Sequence, residues 1–311
     1  MKSRGLDMQA RATLVLLAGL FTWFGCGDDA TGGGGSGAGA AGGPAGGSGG
    51  SAQSGGAPGT GGQTSTSTST SQTGGGGDSN ASKCGNGNFA ICEGFEDAAD
   101  GAFPVGWGAR GDEWGGGVIG VASDDARRGL KSLKVDGESN GQHFMDFKGD
   151  LGALASHHYG RVFMKVQVPA PWPSSGVLHA DFIEGLGPGP NGSTHNVRWG
   201  VVENTSMKLQ WIYNVQPSNG APEFAEGTDY VYDWQGSWQC IEWMYDQPSQ
   251  DGTLWIDGAE IPIVPGANHA AEIPIFQSLG VGLANYQDAG AGFTVWLDEL
   301  AYDANRIGCD N

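Results

Sequence analysis

Apolar and polar residues alternate with a period of two in many short segments of the chain after residue 130. Arg161–Val168 carries Val162 and every second residue after it on one face, and Lys208–Val215 repeats this pattern from Leu209. Such alternation is typical of β-strands with one buried face, and no helical stripe accompanies it. Further strands are predicted at 131–136, 177–184, 196–202, 238–246, 253–257, 278–287 and 293–302.

Turn-forming residues separate these strands. A Gly/Pro/Asn cluster occupies 187–192, and Asp257-Gly258 predicts a tight hairpin between two apolar segments. Many short alternating strands over about 220 residues are typical of an all-β, two-sheet antiparallel jelly-roll sandwich.

The N-terminal part has a different composition. Apart from proline, alanine is the only apolar residue type from Gly27 to Ser82, a stretch too poor in apolar surface to offset its ordering entropy. We therefore expect a disordered tether over 26–83 and one folded domain over 84–311.

An export signal precedes the tether. Lys2, Arg4 and Arg11 form a basic region before the short apolar segment Leu14–Phe21, and Gly25-Cys26 resembles a lipoprotein cleavage site. The sequence predicts a signal peptide at 1–25, lipid attachment at Cys26 and an outer-membrane or cell-surface location, with the lipid as the sole membrane contact. An ordinary signal-peptidase site near Gly25 is the alternative.

The chain carries a formal charge of −19, and the folded part accounts for it. A field of that sign disfavours nucleic acids and anionic membrane surfaces as partners. Polyanionic substrates would need a locally basic cleft or a cation. The alternative is that the acidity only keeps an exported protein soluble, and we expect a monomer.

Four cysteines remain beside Cys26, an even number in an oxidising compartment. Three pairings are possible. We favour Cys84 with Cys92 across a glycine turn, and Cys240 with Cys309 near the C-terminus.

Several motifs occur in a characteristic order: Cys92–Asp97, Ser123–Leu133, Trp238–Trp243, Leu254–Gly258 and Trp296–Ala301. Together they resemble a concanavalin A-like jelly-roll family of myxobacterial lipoproteins, which is similar to the fungal cellulose-induced protein and to glucuronan lyase. The resemblance covers 84–311. It implies a surface protein that acts on a polysaccharide.

The resemblance also implies a structural calcium ion. Carried over to this chain, the ligands would be Glu96, Ser123 and Asp298, with carbonyl groups of the 123–131 loop. Calcium takes 6–8 oxygen ligands, so this donor set is chemically suitable. Ala126 stands where the fungal relative has a further ligand, and carboxylates that only cap backbone groups are the alternative.

A lyase mechanism is the functional expectation. Cleavage of a uronate polymer by β-elimination needs a base, an acid and neutralisation of the substrate carboxylate. His179 and Tyr286 resemble residues of alginate-type lyases, and Arg161 and Arg198 would neutralise the carboxylate. His179 replaces the first Glu of the Glu-x-Asp-x-x-Glu motif of retaining glucanases of this fold, which argues against their mechanism.

Further residues are candidates for substrate binding on the concave sheet face. Asp181 shares a strand face with His179, and Trp172 lies in a proline-flanked loop where an indole can stack on a sugar. The remaining candidates are His143, Gln210 and Gln287. A non-catalytic carbohydrate-binding or adhesion module and a structural envelope lipoprotein are the alternative functions.

Overall fold

The structure is a computed structural model. It describes residues 81–84, 89–170, 172, 177–189, 192–218, 224–262, 273–286 and 292–309. The predicted signal peptide, Cys26, nearly all of the tether, and Gln287 lie outside the described residues. Within the described ranges, no helix has the length and apolar character needed to span a membrane.

The described chain is nearly all β-structure, with one short 3₁₀ helix at Gly152–Ala155. The strands are β1 (Ile91–Glu93), β2 (Trp107–Ala109), β3 (Trp114–Ala122), β4 (Ser132–Phe147), β5 (His157–Val166), β6 (Val177–Pro188), β7 (Thr194–Asn204), β8 (Leu209–Pro217), β9 (Phe224–Gly227), β10 (Gln239–Asp246), β11 (Asp251–Ile256), β12 (Ala259–Glu260), β13 (Ser278–Asn285) and β14 (Phe293–Asp303).

Eleven of the strands form one antiparallel sheet in the order β12-β11-β10-β5-β14-β4-β13-β6-β7-β8-β9. In addition, β1 pairs with β14, and β2 and β3 pair with β4. This sheet folds over on itself, as contacts between side chains of distant strands show. Trp199 of β7 stacks on Tyr245 of β10 with 6.1 Å between ring centroids, and Tyr213 of β8 lies 6.3 Å from the same ring. The sheet therefore has two halves. The front half consists of β13, β6, β7, β8 and β9, the back half of β12, β11, β10, β5 and β14, and β4 joins the two. The predicted two-sheet jelly roll is confirmed.

The core lies between the two halves and follows the predicted alternation. Val162, Met164 and Val166 are buried, and so are Leu209 and every second residue after it to Val215. Val168, the last residue of the first predicted stripe, lies beyond the end of β5 and is 51% exposed. The glycine-rich strand β3 was not predicted, because Gly115–Gly117 supplies no apolar alternation. Strand β4 extends well beyond the predicted 131–136.

The hairpin at Asp257-Gly258 is confirmed. Both residues have positive φ angles, 50° and 81°, as a type I′ turn requires. The turn joins β11 to β12 in register, with Ile256 opposite Ala259.

Both favoured disulfides are present. Cys84 is bonded to Cys92 and Cys240 to Cys309, with sequence separations of 8 and 69 residues. The second disulfide ties the C-terminal segment to β10. It is the longer covalent loop and constrains the unfolded chain more.

Loss of the two disulfides should therefore have unequal effects. We expect Cys240→Ser with Cys309→Ser to lower the free energy of unfolding by about 4 kcal/mol, and Cys84→Ser with Cys92→Ser by about 2.5 kcal/mol. Urea unfolding of both double variants measures the difference. A larger loss for the short loop would contradict this account.

His158 is an imidazole inside the core. Its side chain is surrounded by the rings of Tyr245, Phe276 and Tyr302, with centroids 5.4–5.7 Å away. Its Nδ1 lies 2.9 Å from the carbonyl oxygen of Leu154, the one polar contact that fixes the ring. Burial lowers the pKa of His158 to about 4, so the ring stays neutral in the folded protein at neutral pH.

This burial predicts acid sensitivity. As the pH falls from the ordinary pKa of 6.5 towards 4, the unfolded chain gains a proton on His158 that the folded protein does not. We expect this residue to remove about 3 kcal/mol of stability between about pH 7 and pH 4. Urea unfolding should show a smaller acid loss for His158→Phe than for the wild type. His157→Asn, at an exposed imidazole, is the control and should keep the wild-type loss.

Candidate functional site

Polar side chains gather on the face of the front half that points away from the core, here called the site face. On β6, Leu178 and Ala180 point into the core, so His179 and Asp181 point to the site face. A register shift between Asp181 and Ile183 then adds one residue to β6. Because of this bulge, Glu184 lies on the same face although it is three residues beyond Asp181.

Asp181 links an imidazole and a guanidinium group. Its Oδ1 lies 3.2 Å from Nε2 of His179, and its Oδ2 lies 3.1 Å from Nη1 of Arg198 on β7. Arg198 also donates to the Oδ1 of Asn214 on β8 over 2.6 Å. The imidazole, 14% exposed, is thus oriented by a fully buried carboxylate.

Tyr286 completes the group at the end of β13. Its backbone N–H donates to the carbonyl oxygen of His179 over 3.0 Å, which brings the two rings to 5.1 Å between centroids. The phenol oxygen accepts a 2.6 Å hydrogen bond from Nη1 of Arg198 and donates to Oε1 of Glu184 over 3.4 Å. A proton donor and an imidazole therefore lie side by side.

Glu184 is held from the opposite side by an arginine that no strand contributes. Arg110 follows β2, pairs with Glu184 and with Asp146 of β4 (2.9 Å), and lies over the ring of Phe144 at 4.4 Å. Asn196 donates to Glu184 over 3.0 Å as well. The result is a continuous buried chain of charges from Asp146 to Asp181, with the imidazole of His179 at its end.

Two glycines make room for this chain. A Cβ atom at Gly200 would lie 2.1 Å from Oδ1 of Asp181, and one at Gly280 would lie 2.1 Å from Oδ1 of Asp146. Any side chain at these positions would displace a carboxylate. The sheet therefore carries no side chain at the two positions against which these carboxylates lie.

Burial and charge set the pKa values of the group in different directions. Burial raises the pKa of Glu184, and the two arginines offset this only in part. For Asp181 the burial effect is outweighed by Arg198 and His179, so its pKa is lowered. Burial, reinforced by the charge of Glu184, raises the pKa of Tyr286 well above 10. At neutral pH the phenol is protonated and Asp181 is ionised.

Trp114 at the start of β3 adds an exposed aromatic side chain. Its indole is 37% exposed and lies 6.0 Å from the ring of Tyr286. A register shift between Gly115 and Gly117 bends β3 at this point, and Nε2 of His143 lies 3.0 Å from the carbonyl oxygen of Gly116. Trp114, Tyr286 and His179 form a row of three rings.

The other predicted binding residues have different surroundings. Gln210 donates to the phenol oxygen of Tyr230 over 3.1 Å, and His143 is 7% exposed beneath β3. Trp172 is partly buried. Gln287 lies outside the described residues, so its predicted role stays a prediction.

Arg161 does not lie with His179, Arg198 and Tyr286, contrary to the expected grouping. It is on β5 in the back half and donates to the carbonyl oxygens of Gly308 (3.3 Å) and Glu299 (3.3 Å). A sandwich has two outer faces, one on each half, and alternation alone does not say which face a polar residue joins. We therefore remove Arg161 from the candidate catalytic set.

The predicted calcium ligands contact backbone amides. Both oxygens of Glu96 accept from the N–H of Leu130, and Oδ2 of Asp298 accepts from the N–H of Arg127 and Arg128 (2.8 and 2.9 Å). These contacts anchor the 123–131 loop.

Ser123 has a different partner, since its Oγ donates to Asp100. Across the described residues, no group of three or more His, Cys, Asp or Glu side chains is placed to hold a metal ion. Glu96 and Asp298 anchor the 123–131 loop through these contacts, and calcium binding stays a prediction.

Sequence reasoning missed Glu184, Arg110 and Trp114. Glu184 is the last residue of the glucanase-type motif in which His179 replaces the first Glu, so its spacing after Asp181 was a signal in the sequence. Trp114 is followed by three glycines. Such a run indicates a bend in the strand, and a bend can expose the adjacent side chain, here that of Trp114. Arg110 lies in a loop and has no signal in the sequence.

Comparisons with known proteins place the fold. No protein-family model matches the sequence, and no curated protein matches it. Among solved structures, the cellulose induced protein Cip1 is 23% identical with a TM-score of 0.50, over 70% of this chain and 99% of that chain. This similarity supports a related jelly-roll fold. The predicted myxobacterial lipoprotein origin and the likeness to glucuronan lyase stay predictions.

Two other structures are more distant. The binding domain of botulinum neurotoxin DC, solved with rat synaptotagmin II, has a TM-score of 0.41 at 9% identity, over 62% of this chain and 44% of that chain. The carbohydrate esterase vb_24B_21 from Shiga toxin-encoding bacteriophage phi24B has a TM-score of 0.40 at 18% identity, over 63% and 89%. At these scores neither structure carries an argument about function.

The buried ion pairs predict a large penalty for removing one partner. Arg110→Met leaves Asp146 and Glu184 buried without their cation, so we expect a loss of about 3–5 kcal/mol in the free energy of unfolding. Lys134→Met is the matched control. Lys134 pairs with Asp124 over 2.9 Å but is 26% exposed, so its removal should cost less than about 1 kcal/mol. Urea unfolding at neutral pH distinguishes the two, and equal losses would contradict a buried network.

Proposed function

We propose that this domain acts on a polysaccharide and cleaves it by β-elimination at the site face. The observation that carries the proposal is the pair formed by His179 and Tyr286, whose rings lie 5.1 Å apart. Elimination needs one group to take a proton and another to give one. These two side chains supply both functions at neighbouring positions.

His179 is the proposed base. Asp181 contacts its Nε2 and carries a negative charge, so it orients the imidazole and stabilises the imidazolium that forms when the ring takes a proton. The proton removed would be that on C5 of a uronate unit, next to the carboxyl group. The electron pair of that C–H bond forms the C4–C5 double bond.

Tyr286 is the proposed acid. Its pKa is raised, so the phenol carries its proton at neutral pH. Arg198 donates to the phenol oxygen and stabilises the phenolate that forms when the proton passes to the oxygen that leaves C4. The C4–O bond breaks as the double bond forms, and one proton has moved onto His179 and another onto the leaving oxygen. Arg198 contacts Asp181 and the phenol oxygen, so we assign it as a positioning residue.

The proposed setting is the cell surface. Two disulfides are consistent with an oxidising compartment, which supports export. Lipid attachment at Cys26 would anchor the domain, and the Gly/Ser-rich tether would let it reach a polymer outside the membrane.

A non-catalytic carbohydrate-binding module is the second candidate. The exposed indole of Trp114 favours it, because an exposed aromatic face stacks on the apolar face of a sugar ring without any chemistry. Such a module would use the same site face. It would retain a polysaccharide and release no product.

The two candidates differ in one measurement. Elimination creates an unsaturated uronate that absorbs in the ultraviolet, so we expect absorbance to rise when the protein is mixed with a uronate polymer that it cleaves. His179→Asn and Tyr286→Phe should each lower the initial rate by at least about 100-fold, because each removes one proton-transfer group.

His157→Asn is the matched control for these variants. His157 also contacts an aspartate, Asp246, over 3.0 Å, but it lies on β5 in the back half. Its substitution should leave the rate unchanged. Retention on polysaccharide affinity gels without any absorbance change would favour the binding module over the lyase.

A further inference from the structure

Resting on the proposed function, we infer that the substrate is a uronate polymer whose carboxyl groups are esterified and therefore uncharged. The inference comes from the charges of the site face and from the partners of its two arginines. A lyase for free uronates must place a cation or strong donors on the substrate carboxylate. Here the arginines are already engaged within the protein.

The buried charges of the site face are unequal in number. Arg110 and Arg198 are at most 3% exposed in their side chains, and they face three carboxylates that are at most 4% exposed, those of Asp146, Asp181 and Glu184. Two positive charges therefore face three carboxyl groups. Because burial raises the pKa of Glu184, the formal charge of the group lies between zero and minus one, and in neither state does it present a net positive charge to an anionic substrate.

Neither arginine is available to a substrate carboxylate. Arg198 contacts Asp181 through Nη1 and Asn214 through Nη2, and Nη1 also donates to Tyr286. Arg110 bonds Asp146 through Nε and Nη2 and Glu184 through Nη1. Both guanidinium groups neutralise the protein's own carboxylates.

Lys148 is an exposed cation at the Asp146 end of the group. Nζ of Lys148 is 3.9 Å from Asp146 and the side chain is 44% exposed. Asp112 acts on Arg110 with the opposite charge. This end is separated from His179 by the whole buried chain of charges, so Lys148 does not supply a cation beside the proposed base.

Esterification removes the need for that cation. When C5 loses its proton, negative charge spreads into the neighbouring carbonyl group. A carboxylate resists this because it is already negative, whereas an ester accepts it and also makes the C5 proton more acidic. The acid–base pair of His179 and Tyr286 is then sufficient, and no positive charge is required.

The test compares free and esterified polymers with the full-length protein. Polygalacturonate and alginate are assayed beside the methyl ester of the first and the propylene glycol ester of the second, and ultraviolet absorbance reports the unsaturated product. We expect the initial rate on at least one ester to exceed that on its free acid by about tenfold or more. His179→Asn should abolish the product from the ester.

The same assay is repeated with added calcium chloride and with added sodium chloride. Each polymer is tested with and without added calcium chloride, because a bridging cation could neutralise a free carboxylate. Added sodium chloride should raise any slow rate on a free acid by screening, and should leave the ester rate unchanged.

The outcomes separate the inference from the proposed function. Equal or faster cleavage of the free acids, or cleavage of them only with calcium, overturns the inference and leaves the lyase intact. Cleavage of esters alone or by a clear preference supports both. Absence of product from all four polymers, with and without calcium, overturns the lyase proposal and this inference with it.

Discussion

Three carboxylates are desolvated on one face of the front half, and the arrangement depends on two arginines that are buried with them. Taking Asp146, Glu184 and Asp181 out of water is costly unless each finds a cation and hydrogen-bond donors. Arg198 lies on the strand next to Asp181 and pairs with it. Arg110 lies in a loop and pairs with Asp146 and Glu184 of the sheet. Strand β7 and the loop after β2 thus supply the cations that these buried carboxylates need.

The same ion pairs divide the site into a rigid support and two reactive groups. The support is buried and its members hold one another, so they have little freedom to meet a ligand. His179 and Tyr286 lie at one end of it, and each contacts a buried carboxylate, Asp181 and Glu184 respectively. Orientation of the acid and the base is thus provided by residues that need not touch the substrate.

The period of two in the sequence was enough to predict the sandwich, because each core-facing stripe must be buried against another sheet. It also placed His179 and Asp181 on one face. It could not place Arg161, because both halves of the sheet have an outer face and alternation does not distinguish them. Glu184 required a bulge in β6, and Arg110 required knowledge of how a loop crosses the sheet. Both depend on contacts between residues far apart in the sequence.

The negative charge of this chain and the charges of its site face both disfavour an anionic polymer. At long range, a formal charge of −19 opposes the approach of a polyanion. At short range, the site face does not reverse that sign, because its arginines are matched by more carboxylates than they can neutralise. A protein that bound free polyuronate would be expected to compensate locally for an acidic exterior, and this one uses its buried cations to hold its own structure. The exposed ring of Trp114 recognises apolar sugar faces whatever their charge. Charge and aromatic surface therefore agree on a sugar polymer that carries little negative charge where it meets His179.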